Sequence, residues 1–273
     1  MDDQWLSQLP IKEITKAVPV GGGDVNQAYR LETKDDTYFL LVQPHTTADF
    51  YAGEIAGLKA FEEANVLAPR VLGNGQIDGN AYLLLNFLES GSGSQSDLGE
   101  LVANLHQHYS KNGKFGFDLP YVSNDESFDN SWTDTWSELF VDHRLDRLRD
   151  ALLKKHLWNA SDDSKYKQVR EVILDKLSKH DSEPSLLHGD LWGGNYMFLA
   201  DGRPALIDPA SFYGDREFDL GITTVFGGFD ADFYAAYNAV YPLDPGANER
   251  LNFYRLYYLM VHTNKFGTMY KSS

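Results

Sequence analysis

The chain has 273 residues, with 40 Asp and Glu against 24 Lys and Arg, a formal net charge of -16. Such a surface repels polyanions, which excludes a nucleic-acid partner and an anionic membrane surface. The 42% hydrophobic and 14% aromatic content supplies a packed core, and the length allows one large domain or two smaller lobes. There is no cysteine, which excludes disulfides, thiolate metal sites and a cysteine nucleophile. The acidic start Met1-Asp2-Asp3 is unlike a secretory signal. The longest apolar runs, Ala81 to Leu85 and Tyr38 to Val42, fall far short of the roughly 20 residues that span a bilayer. A soluble, cytoplasmic protein is expected.

In chain order, Asn26 to Thr33 alternates as a strand, Lys34 to Thr37 is a polar turn, and Tyr38 to Val42 is the returning strand. Ala48 to Ala64 lacks Pro and spaces Ile55, Leu58 and Phe61 three apart, as an amphipathic helix does; Glu54 lies within it. Val71–Leu72 and Ala81 to Leu85 flank a turn-rich stretch and predict a second hairpin. The first block thus reads β-β-α-β-β. Glu89 to Ser96 is a Gly/Ser stretch of the flexible-linker kind. It divides a lobe at 1–88, a hinge at 89–95 and a mainly helical lobe at 96–273. In the second lobe, Leu98 to Leu105, Leu145 to Leu152, Tyr166 to Lys179, 232–240 and 249–267 carry helical periodicity. Trp132 and Trp136, four apart, predict one packed helix face. Asp201-Gly202 between apolar runs predicts a tight hairpin.

The stretch His188-Gly189-Asp190-Leu191-Trp192-Gly193-Gly194-Asn195, followed by Ile207-Asp208, carries the chemistry. An Asp, an Asn five positions later and a second Asp past a hairpin match the way kinases place a base and two metal ligands around ATP. Asp190 could accept the proton of an attacking hydroxyl, while Asn195 and Asp208 offer the hard oxygen ligands that Mg²⁺ takes. Singly, each of these residues is as readily a turn cap or a strand end.

The string HGDLWGGN resembles the fructosamine/ketosamine kinases, a branch of the aminoglycoside phosphotransferase-like small-molecule kinases. Gly21-Gly22-Gly23-Asp24-Val25-Asn26 resembles the family's glycine-rich opening, Glu54 to Leu58 its first-lobe helix, and Asn130-Ser131-Trp132 with Arg144-Leu145 its helical insert. Tyr213 to Leu220 and Tyr254 to Tyr258 follow in the expected order. The resemblance implies a two-lobed, protein-kinase-like α+β fold with ATP in the cleft. It also implies Mg²⁺-dependent phosphorylation of a sugar hydroxyl, O3 of a ketosamine such as a fructosamine or ribulosamine, on a small-molecule or glycated-amine acceptor. Gly21, Gly22, Gly23, Asn26 and Glu54, with Asn86 and Leu88 at the lobe connection, then fall to the nucleotide. Trp192 and Asp215 fall to the acceptor side, while the residues themselves favour a structural reading of Asp215 and Asp219, bracing the loop or a helix start.

The pattern breaks at one point. Kinases carry a strand Lys that pairs with the helix Glu and the ATP phosphates, and Leu41 stands where that Lys belongs. Either Mg²⁺, the glycine-rich backbone and a remote Arg such as Arg70 hold the phosphates, or the chain binds nucleotide without transferring phosphate. A choline or aminoglycoside kinase is the other enzyme reading.

Overall fold

The computed structural model describes residues 2–21, 26–122 and 127–271. A short helix α1 (Asp3–Leu6) leads into a five-stranded antiparallel sheet. Its strands are β1 (Lys16–Val20), β2 (Gln27–Glu32), β3 (Thr37–Gln43), β4 (Val71–Ile77) and β5 (Asn80–Asn86), in the order β1-β2-β3-β5-β4. Between β3 and β4 runs a 3₁₀ turn, Ala48–Tyr51, and helix α2 (Ala52–Glu63). The expected β-β-α-β-β order is present with one strand more. Strand β1 shows no alternation of buried and exposed residues and carries Pro19, which an edge strand tolerates because its N–H side needs no ladder partner.

Strand β4 runs straight through Gly73-Asn74-Gly75, where a turn was expected; the reversal is confined to Asp78-Gly79. Both glycines are packing positions. A Cβ on Gly75 would meet the Tyr82 ring at 2.9 Å, and one on Gly73 would meet Pro10 at 3.0 Å.

The helical part begins at α3 (Gln95–His106), capped by the Ser94 side chain. Two short strands, β6 (Tyr121–Val122) and β7 (Ser127–Phe128), pair antiparallel and precede a π-helical stretch, Glu138–Leu145, that continues as α4 (Asp146–Lys154). Helix α5 (Ala160–Leu177) starts in a reciprocal Asn159–Asp162 capping box. Four short strands follow: β8 (Ser185–Leu187), β9 (Tyr196–Phe198), β10 (Pro204–Leu206) and β11 (Phe212–Gly214), pairing as β9 with β10 and β8 with β11. Helices α6 (Glu217–Phe226), α7 (Ala231–Val240) and α8 (Ala247–Phe266) complete the fold.

Trp132 and Trp136 do not share a helix face. Trp132 lies outside the helix, stacked on Tyr213 with its Nε1 donating to Asp118, while Trp136 is buried in the core and donates to the Tyr254 hydroxyl. The Gly/Ser segment is not a loose tether. Ser90 bridges Leu199, Gly91 N–H donates to the Phe198 carbonyl at 2.7 Å, and a Cβ on Gly91 or Gly93 would lie 2.4 Å from the Leu199 or Gly202 carbonyl oxygen. These glycines are there because two backbones touch. No helix among the described residues is long and apolar enough to cross a membrane.

Candidate active site

The loop between β8 and β9 is built on one buried carboxylate. Asp219, at the start of α6, accepts from His188 N–H at 2.7 Å and from Gly189 N–H at 2.9 Å, and its Oδ2 lies 3.1 Å from His106 Nε2. The Tyr237 hydroxyl lies 2.9 Å from the other nitrogen of His106. His188 Nε2 lies 2.8 Å from the Ile207 carbonyl, an acceptor only, so the ring proton sits there and Nδ1 accepts from Asp190 N–H at 3.3 Å. Gly189 has φ +85, and a Cβ there would lie 2.0 Å from the Ala210 carbonyl oxygen, so only glycine fits the turn that aims Asp190.

Asp190 is held on both oxygens. The Tyr258 hydroxyl donates to Oδ1 at 2.9 Å, and Asn195 Nδ2 donates to Oδ2 at 3.1 Å and to the Asp190 carbonyl at 2.8 Å. Burial, with Asp190 beside it, raises the Tyr258 phenol far above its ordinary value, so it keeps its proton and donates it to Asp190. With Nδ2 committed to Asp190, Asn195 keeps its amide oxygen for another partner. Ile207 N–H donates to the Asn195 carbonyl at 3.0 Å, tying the Asn to the strand end that carries Asp208.

Asp208 has φ +50, a left-handed backbone that costs about 1 kcal/mol or more in a non-glycine residue. It keeps an accessible surface, yet withdrawal from bulk water raises its pKa; His188 opposes the shift and Asp190 adds to it. Helix α2 brings Glu54 to the same place. Gly57, one turn on, lets the helix press against Pro209 and Ser211, whose Oγ lies 2.8 Å from the site of a Cβ. Burial and the Asp208 charge push Glu54 up to about 8. Leu41 is buried in the cluster with Tyr51, Leu58 and Leu83, so an apolar side chain occupies the strand position. Among the described residues no cation pairs with Glu54. Crowded carboxylates beside a bare amide oxygen are a donor set that a hard divalent cation fits.

Next to Asp190 opens a cavity of about 370 Å³, lined by Asp190 and Trp192, by Arg144 and by aromatic residues of α6 and α8. Trp192 is 41% exposed, its indole lying across Gly194, where a Cβ would meet it at 2.2 Å.

The other expected residues fall as follows. Asn26 accepts from the Tyr51 hydroxyl at 3.0 Å. Gly21 is exposed with nothing near its Cβ position; Gly22 and Gly23 lie outside the described residues. The Asn86 side chain accepts from Arg70 N–H, so it braces β5 against the segment before β4; Leu88 is half-buried just beyond. Arg70 itself reaches Glu62 at 3.5 Å. Asp215 does not line the cavity. It is buried, 2.8 Å from His180 and 2.6 Å from the Ser182 hydroxyl, and it accepts from Glu217 N–H, which assigns it to the brace under α6. Sequence reasoning missed Tyr258, quoted only as part of a helix, and gave Arg144 no role in a site. Neither carries a local motif signal.

A sheet with one helix, set over a helical part that presents Asp190, Asn195 and Asp208, defines a kinase-like phosphotransferase. A model of the fructosamine kinase family matches residues 2–273. A Staphylococcus aureus protein named as a probable ketoamine kinase is 61% identical over 274 residues, covering 100% of this chain and 95% of its own. A rice protein named protein-ribulosamine 3-kinase, chloroplastic, is 31% identical, covering 99% and 80%. Among solved structures, a Haemophilus somnus protein named as a candidate fructosamine-3-kinase is similar at a TM-score of 0.84 with 28% identity, over 95% of this chain and 88% of that one. An aminoglycoside phosphotransferase in complex with ADP and hygromycin B shares the fold, with a TM-score of 0.64, 16% identity and coverage of 92% and 86%. The chain belongs to the fructosamine kinase family. As a kinase it draws its phosphoryl group from ATP.

Proposed function

We propose that the protein phosphorylates O3 of a ketosamine, a sugar whose C1 carries an amine, with Asp190 as the proton acceptor. The acceptor oxygen attacks the γ-phosphorus of ATP, the bond to the β-phosphate oxygen breaks, ADP leaves, and the hydroxyl proton passes to Asp190. The observation that carries this reading is the Asp190 carboxylate, fixed by Tyr258 and Asn195 at the wall of a cavity large enough for a small sugar. The names of the relatives support the ketosamine as acceptor. Positioning and charge stabilisation do most of the work in phosphoryl transfer, so a rigid base on a supported loop is what the reaction asks of the protein.

Mg²⁺ would be held by the Asn195 amide oxygen and Asp208, where bound it neutralises charge on the transferring phosphate. Glu54, lacking a strand lysine, lies close enough to Asp208 for its charge to be felt and would adjoin the phosphates. An ATP-dependent reaction fits the cytoplasm. The test is phosphate transfer from ATP to a panel of ribulosamines, fructosamines, choline and aminoglycosides. Turnover confined to ketosamines is expected, with Asp190→Ala lowering kcat by about 10²–10⁴-fold while nucleotide binding persists. Turnover of choline alone overturns the acceptor, and unchanged turnover in Asp190→Ala overturns the base.

A further inference from the structure

In a chain of net charge -16, the acceptor cavity runs against the trend. Among the described residues its charged lining is Arg144 and Lys265 against one carboxylate, Asp190; burial lowers His262 from its ordinary value, so that ring is neutral near pH 7.

Arg144 is the more unusual of the two. It is 2% exposed and makes no ion pair among the described residues. One nitrogen, Nη2, donates to Asn130 Oδ1, while Nε and Nη1 have no hydrogen-bond partner among the described residues. The guanidinium lies over the Phe128 and Phe212 rings, with centroids 5.0 and 4.4 Å from Cζ. Asn130 is itself fixed, donating to the Leu119 carbonyl at 2.9 Å. A buried cation whose Nε and Nη1, three N–H donors in all, lack partners among the described residues is costly to hold in the folded chain. Burial accordingly lowers its pKa, against the pull of Tyr257 and Asp129.

Lys265 lines the same cavity. Along α8, Tyr258, His262 and Lys265 fall on one face, and seven residues place Lys265 about 10 Å along the helix from the residue that holds Asp190. Its Nζ lies over the Phe266 ring at 5.1 Å, and no carboxylate among the described residues pairs with it. A ketosamine of an uncharged amine brings only an ammonium into this net-positive cavity. One that also bears an anion supplies what both cations lack.

We propose that the acceptor is an anionic ketosamine, a sugar amine carrying a carboxylate or a phosphate, recognised by Arg144 and Lys265. This rests on the ketosamine reading above. A carboxylate would come from a glycated free amino acid, two bonds from the amine nitrogen; a phosphate would come from the far end of the sugar.

The experiment compares kcat/KM for the ketosamine of glycine with that of glycinamide, the same molecule without the charge, and adds the glycinamide ketosamine of the sugar 6-phosphate. The native protein is expected to prefer at least one anionic acceptor over the neutral one by about tenfold, through KM, as charge-assisted contacts to a buried guanidinium and an exposed ammonium give. The arm that shows the preference identifies carboxylate or phosphate. Lys265→Met should cut the preference by at least about threefold and Lys265→Arg should restore it. Arg144→Lys tests the buried end, and the exposed Lys265 keeps the test decisive should that variant not fold. Equal kcat/KM for all three acceptors overturns the proposal, as does a preference that survives in Lys265→Met. Turnover of none of them would instead overturn the ketosamine reading.

Discussion

The Tyr258 hydroxyl donates a 2.9 Å hydrogen bond to Asp190 Oδ1, joining helix α8 to the loop before β9 across 68 residues. With Asn195 on the other oxygen, the carboxylate has no rotational freedom left to lose when an acceptor arrives. Tyr258→Phe removes one hydrogen bond to a charged group, about 1.5–3 kcal/mol. We expect kcat to fall roughly tenfold or more, with KM for ATP unchanged and the far-UV circular dichroism native. A drop confined to KM for the acceptor would move Tyr258 from positioning the base to binding the sugar.

With Leu41 buried at the strand position, Glu54 lies beside Asp208 and pairs with no cation among the described residues. Introducing one should tighten nucleotide binding. Leu41→Lys is expected to lower KM for ATP by about three- to tenfold, as one added charge-assisted contact does. Leu41→Met serves as the size control and should match the native protein. Steady-state kinetics on the three proteins decides this.

Asp219 holds His188 N–H, Gly189 N–H and His106 from one buried side chain. Asp219→Ala leaves those donors buried and unpaired, a loss of about 3–5 kcal/mol. Denaturant unfolding should show it. Any protein that still folds should also lose most of its kcat, since the turn that aims Asp190 is released.

The brace beneath α6 sets a pH dependence. The hydrogen bond to Asp215 raises His180 above its ordinary value, outweighing burial. Burial alone would raise Asp215, but the bonds from His180, Ser182 and Glu217 N–H hold it low. A raised histidine contributes stability that is complete below the unfolded value of about 6.5 and is lost as pH rises through the folded value. The lowered aspartate contributes above about 3.8 and loses its share only in acid. Thermal unfolding from pH 6 to 9 should therefore show the native Tm falling relative to His180→Gln, by about 2–4 °C for each kcal/mol lost. Parallel curves would remove the pair as a source of pH dependence.

What the sequence revealed depended on distance along the chain. His188 to Asn195 and Asp208 were legible because a loop and one hairpin hold the whole group, so spacing is geometry. Tyr258 was not, because nothing near Asp190 in the chain announces a donor that arrives from the last helix. Asp215 reads from the sequence either as an acceptor-side residue or as a brace; its side chain turns inward to His180, as a brace does. Gly73 and Gly75 read as turn residues by composition, whereas the reason for them is the Pro10 and Tyr82 side chains packed against them. Trp132 and Trp136 read as a helical pair, but the helix begins at the second of them.

A run of glycine and serine between two parts of a protein is ordinarily where a protease cuts first. Here Ser90 and Gly91 are paired to the hairpin that carries Asn195 and Asp208 at its ends, and Gly91 and Gly93 sit against its backbone. The segment stays exposed, but its backbone is paired to that hairpin, so a protease that needs the strand free must first break this pairing. Any bending of the sheet toward the helical part is then concentrated in the two residues before the seam, Phe87 and Leu88. The connection behaves as a welded plate with one crease, and the crease lies where the nucleotide's base is expected.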